Sequence, residues 1–276
     1  MATALPEPSA SLTTPDNPPW NIPEAIAVWF ASVLLIIVVP AAFLLPYLAM
    51  QDPPITATEQ IAEFAKSNPT AIILQMAAIL PAHFLTLLLA WMVVTRIRRY
   101  SFTTSLGWRQ NGFRWWHYCL ILAAFFVAAM IVGAFFPEKE NDLIRILRSS
   151  RSAVYIVAFV ATVTAPLVEE VVYRGVLYSA FQRRVGVIAA FLVVTFLFAL
   201  VHVPQYYPSY STIFLLTVLS LTLTGIRVIS GNLLPCIILH TLFNGLQSLL
   251  LILEPHINAI PSAETPALNA LLHLLK

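Results

Sequence analysis

APLVEEVVYRG, residues 165–175, sets two adjacent glutamates and an arginine inside a strongly apolar setting. AVYIVAFVATVT (153–164) runs directly before it, and VIAAFLVVTFLFALVHV (187–203) follows soon after. A charge within a membrane span costs roughly 2.5–3.5 kcal/mol on insertion scales, so such residues are functional hypotheses by default. What Glu169, Glu170 and Arg174 do there decides both the fold and the function of the chain.

The surrounding chain fixes the solvent. Of 276 residues, 59% are hydrophobic and 10% charged, and the mean hydropathy is +0.82. A soluble domain carries roughly 25% charged residues. The chain is therefore expected to be an integral, multi-pass membrane protein. Its length suits one bundle. A formal charge of +2 with no basic run excludes nucleic acid as a partner, and leaves membrane lipid. Cys119 and Cys236 stand far apart in apolar runs without CxxC spacing. Neither a disulfide framework nor a thiolate metal site follows, and both are read as buried small hydrophobes.

About 20 apolar residues cross the roughly 30 Å hydrocarbon layer. Seven runs meet that length, near 25–50, 70–95, 117–136, 153–180, 186–204, 210–227 and 233–254. None alternates with period two, so helices rather than barrel strands satisfy the backbone. The expected fold is all-α: a polytopic transmembrane helical bundle of about seven to eight membrane helices. Pro40, Pro46 and Pro81 fall inside spans and should kink them.

Four segments follow from this division. Residues 1–24 are polar and rich in proline, and are read as a disordered tail. Residues 25–115 hold two membrane helices and a basic loop. Residues 116–254 hold the remaining spans with their polar residues. Residues 255–276 are read as an interfacial tail, or the remnant of an eighth helix. The loop with Arg96, Arg98, Arg99, Arg109 and Arg114 is expected to face the cytoplasm, with Arg183, Arg184 and the N-terminus on the same side.

Three groups of polar residues fall on successive spans. Glu170 and Arg174, four apart with the acid first, share a helix face and can pair. Glu169 points about 100° round the helix and is left over, as a general base would be. The bland alternative is a solvated helix end, with Arg183 and Arg184 close by. His202 lies one turn beyond Phe198 on the same face. His240 and Asn244 also share a face, and can orient water, bind metal or donate to an oxyanion. Interhelical hydrogen bonding would explain the same pair. His83 has no carboxylate or histidine at helical spacing and is read as structural. His117, His256 and His273 sit near span ends, where solvation suffices. The loop with Glu138, Lys139, Glu140 and Asp142 is read as solvated. Together the three groups fit hydrolysis of an amide, with Glu169 taking a proton from water. No GxSxG context supports a serine nucleophile.

These residues resemble a known family. EEVVYRG (169–175), FALVH (198–202) and HTLFN (240–244) match, in order, the EExxxR, FxxxH and HxxxN/D motifs of the CAAX prenyl protease and bacteriocin-processing intramembrane proteases. That group includes the Ras-converting endopeptidase and the lysostaphin-resistance type bacterial proteins. The similarity covers roughly Ser152 to Leu250, and SLGW (105–108) resembles a further recurrent family feature.

The resemblance implies a helical core around a conical cavity. It implies that Glu169 and His202 activate water, that His240 and Asn244 stabilise the oxyanion, and that Glu170 and Arg174 support them. It leaves a metal open: Zn²⁺ or another divalent ion, with Glu169, His202 and His240 as candidate ligands, or a metal-free glutamate mechanism. The substrate it implies is a membrane-associated peptide or protein. A non-catalytic scaffold or bacteriocin immunity protein is the alternative, and a proton-coupled transporter the third, although no internal repeat of the kind carriers often show is present. The oligomeric state is left unassigned.

Overall fold

The computed structural model describes residues 13–258, except 138, 140, 142, 143, 145, 146, 148 and 149. Among the described residues the chain is helical, with no strand beyond one isolated bridge between Thr14 and Asn17. The helices are α1 (Ile22–Ala49), α2 (Thr58–Ser67), α3 (Pro69–Thr95), α4 (Phe102–Leu106) and α5 (Trp115–Phe135). There follow α6 (Arg151–Val185), α7 (Val187–Tyr206), α8 (Tyr210–Ser230) and α9 (Leu234–Asn258). Seven of them, all but α2 and α4, are long and apolar enough to cross a membrane. The expected fold class is thereby met. The expectations for residues 1–12 and 259–276, and for Glu138, Glu140, Asp142, Arg145 and Arg148, concern positions outside the described residues.

Local chemistry sets the helix ends. Asn21 caps α1 in a reciprocal box: its side chain accepts from Glu24 N at 3.0 Å, while Glu24 Oε2 accepts from Asn21 N at 2.8 Å. Asn68 caps α3 through Ala71 N. Gly107 ends α4 with φ +74°, a conformation open to glycine at little cost. Its carbonyl then accepts from Leu233 N at 2.9 Å and Leu234 N at 3.3 Å, at the start of α9. The SLGW stretch thus fastens the helix that carries His240.

Outward faces are apolar along the spans. Ile37, Phe84, Leu120, Ile188, Phe196 and Ile229 are all exposed, as lipid-facing residues would be. Cys119 lies on such a face of α5 and is exposed, which corrects its reading as buried; Cys236 is buried. An apolar run in a span does not distinguish an inward from an outward face. The inner core packs Val168, Val171, Val176 and Leu177 of α6 against Val194 and Phe198 of α7 and Leu233 before α9.

The stretch 1–24, read as a disordered tail, differs over its described part. Residues 13–21 run across one end of the bundle and tie three helices together. Arg96 Nε donates to Pro19 O at 3.1 Å, Arg183 Nη1 to Pro18 O, and Arg227 Nη2 to Pro15 O at 2.9 Å. Arg96 also pairs with Glu24. Trp20 is fully buried, and its Nε1 donates to Val176 O at 2.9 Å. Proline carbonyls are acceptors with no competing N–H, so a Pro-rich segment can cap arginines that a helical segment could not. These contacts put the start of α1 and the ends of α3, α6 and α8 at one end of the bundle.

Candidate active site

The site is built on α6, a 35-residue helix with Glu169 near its middle. The helix is not regular. It widens to π-helical turns at Val160–Thr164 and Val171–Leu177, on either side of the two glutamates. Such turns arise where the backbone ladder is interrupted. The first has a visible cause in Pro166. Ala165 N bonds Val160 O, five residues back, so Ala161 O loses its ordinary partner. One step further along, the residue five after Ala161 is Pro166, which has no N–H to offer. Asn244 Nδ2 of α9 supplies the missing donor at 2.8 Å.

Glu170 faces inward with no exposed surface, and α6 and α9 meet on it. Its Oε1 accepts from Arg174 Nη1 at 2.9 Å and lies 2.8 Å from His240 Nδ1. Arg174, equally buried, reaches on to α8. Its Nη2 donates to Ser220 Oγ at 2.7 Å and Ser220 O at 3.1 Å, and Nε to Thr224 Oγ1 at 3.3 Å. A buried ion pair recovers its desolvation cost only with such additional bonds. The guanidinium also lies 4.6 Å from the Phe198 ring centroid, a cation–π contact to α7. The i, i+4 pair is therefore buried, and the solvated helix end is not its setting.

Glu169 makes none of those bonds. It is about a quarter exposed, and its Oε2 lies 3.8 Å from His240 Nε2. His202 is half-buried, with Nδ1 2.7 Å from Phe198 O. A carbonyl only accepts, so Nδ1 carries the hydrogen, and Nε2 of the neutral ring is an acceptor. Phe198 sits between the histidines, 4.6 Å from the His202 ring and 6.2 Å from that of His240.

Glu169, His202, His240 and Asn244 line one cavity of about 1220 Å³. Its other walls are mostly apolar, from α1, α3, α5 and α8, including Ile36, Ile79, Phe126, Met130 and Leu215. Tyr173, whose hydroxyl accepts from Trp29 Nε1 at 3.1 Å, and His83 also line it. The structural reading of His83 has an interhelical bond behind it, Nδ1 to Thr164 Oγ1 of α6 at 2.8 Å.

Among the described residues, no three of His, Cys, Asp and Glu form a group able to hold a metal ion. Glu169, His202 and His240 thus do not fit as a ligand set as they are placed. On each histidine Nδ1 is engaged, by Phe198 O and by Glu170, which leaves Nε2 toward the cavity side of the site for other chemistry.

No curated protein and no solved structure matches the chain. Residues 151–246 match the family described as Rce1-like, type II CAAX prenyl endopeptidase. The match begins at the first residue of α6 and ends within α9, so it takes in every residue of the three motifs. Over residues 151–246 the chain is similar to the Rce1-like family of type II CAAX prenyl endopeptidases.

Proposed function

We propose that the chain is an intramembrane endopeptidase that hydrolyses a peptide bond of a membrane-associated peptide or protein by a glutamate-driven attack of water. The observation that carries this reading is the contrast between two neighbouring carboxylates. Glu170 is consumed by Arg174 and His240, while Glu169 is left facing the cavity. A structural ion pair needs one glutamate, and the second is free for chemistry.

Water sits between Glu169 and Nε2 of His202. Glu169 takes one proton, and His202 accepts the other hydrogen bond and aims the oxygen lone pair at the carbonyl carbon. The oxygen–carbon bond forms and the carbonyl oxygen takes the negative charge. His240 Nε2 and the second amide hydrogen of Asn244 receive it. His240 donates there as the imidazolium, with Nδ1 given to Glu170. Glu169 then returns its proton to the nitrogen, and the carbon–nitrogen bond breaks.

The apolar walls admit a substrate segment with a lipid-like side chain, in keeping with a prenylated terminal cysteine. Incubating the purified chain with a prenylated C-terminal peptide and its unprenylated counterpart tests the reading. Cleavage by the wild type and none by Glu169→Gln is expected. Equal cleavage by both proteins would overturn it. A scaffold role predicts instead that function in cells survives Glu169→Gln and fails when the Glu170–Arg174 pair is broken.

A further inference from the structure

His83 belongs to none of the three motifs, yet it stands on the wall of the same cavity as Glu169, His202 and His240. α3 carries it two residues after Pro81, and the ring is 7% exposed. Its Nδ1 lies 2.8 Å from Thr164 Oγ1, in the first π-helical turn of α6. Thr164 Oγ1 in turn donates to Val160 O at 3.3 Å. A hydroxyl has one proton. With that proton on Val160 O, Thr164 meets His83 as an acceptor, so Nδ1 carries the ring hydrogen. Nε2 is then a bare acceptor.

The Glu169 carboxylate, His202 Nε2 and His83 Nε2 are thus all acceptors on this cavity. One water has two hydrogens, and the first two acceptors take both. The reacting amide brings one more donor, its N–H. We propose that His83 is a catalytic residue whose Nε2 accepts a hydrogen bond from the N–H of the scissile amide. This rests on the reading of the site as an endopeptidase. As the oxygen–carbon bond forms, the nitrogen becomes pyramidal. Holding its hydrogen on His83 turns its lone pair away from that ring, free to take the proton that Glu169 returns. The carbon–nitrogen bond then breaks, leaving an acid and an amine. His83 keeps its own hydrogen throughout, and one water is consumed.

An ester has no such hydrogen, which separates this role from a structural one. The test compares a peptide ending in a prenylated CAAX sequence with the same peptide carrying an ester at the bond the wild type cleaves. With purified full-length protein, His83→Ala is expected to lower kcat on the amide about ten-fold and to leave the ester within about two-fold. Equal losses on both substrates, or no loss on the amide, would overturn the inference. If His83→Ala does not fold, Thr164→Val keeps the ring and frees its tautomer. A drop of a few-fold confined to the amide is then expected, and an equal drop on both contradicts it. Wild-type protein that cleaves neither substrate contradicts the endopeptidase reading itself, and this inference with it.

Discussion

Asn244 of α9 donates its side-chain amide to the carbonyl of Ala161 on α6 at 2.8 Å, an acceptor left open by the π-helical turn before Pro166. The asparagine thus closes a gap in the helix that carries Glu169, as well as facing the cavity. Asn244→Ala leaves that carbonyl unpaired. Interhelical hydrogen bonds in bundles are worth roughly 0.6–1.7 kcal/mol. A loss of about 1 kcal/mol in detergent unfolding is expected, together with a fall in kcat larger than that alone would cause.

Arg174→Ala should be far more costly. It leaves the Glu170 carboxylate buried without its cation and also removes the contacts to Ser220, Thr224 and Phe198. Breaking a buried pair from one side typically costs about 3–5 kcal/mol. The variant is expected to aggregate on size-exclusion chromatography, where Glu169→Gln elutes as the wild type does.

Gly107→Ala tests how α9 is fastened. An added Cβ would lie 2.8 Å from Asn232 Oδ1 and Pro15 Cγ and 2.9 Å from Asn232 Cα, at φ +74°. The alanine penalty in that conformation is about 1–2 kcal/mol before any clash. A lower melting temperature and reduced cleavage are expected together, because the Gly107 carbonyl caps the helix that bears His240.

Trp20 and Asp16 separate packing from charge in the N-terminal segment. Trp20 is fully buried and bonded to Val176 O, so Trp20→Ala should cost about 3–5 kcal/mol. Asp16 pairs with Arg227 at 3.1 Å from a side chain that is 55% exposed. Asp16→Ala should cost less than Trp20→Ala, since Asp16 stays half in solvent and Arg227 keeps its bonds to Pro15 O and Ser179. Thermal unfolding of the two variants measures the difference.

The sequence made the spans visible because length and apolarity alone define them. The fourth expected span, 153–180, lies inside α6 (Arg151–Val185), and the first, 25–50, nearly coincides with α1 (Ile22–Ala49). The motif residues were visible for the complementary reason, since charge is conspicuous against an apolar run. Other features depend on contacts between distant segments, which periodicity does not carry. The π-helical turns need backbone bonds to be seen. His83 gains its neighbour Thr164 only across 81 positions of chain. Residues 13–21 look like solvated chain by composition, yet Trp20 and the proline carbonyls anchor them.

The cleavage rate of Glu169→Gln, set beside that of Glu170→Gln in protein shown to be folded, separates the two carboxylates. Glu169→Gln is expected to melt within a degree or two of the wild type and to cleave nothing, since its approach to His240 of α9 is long, at 3.8 Å, and partly exposed. Glu170→Gln is expected to melt much earlier, because it loosens Arg174 and His240. Undiminished cleavage by folded Glu169→Gln would contradict the account, and would return the glutamate pair to a purely structural role.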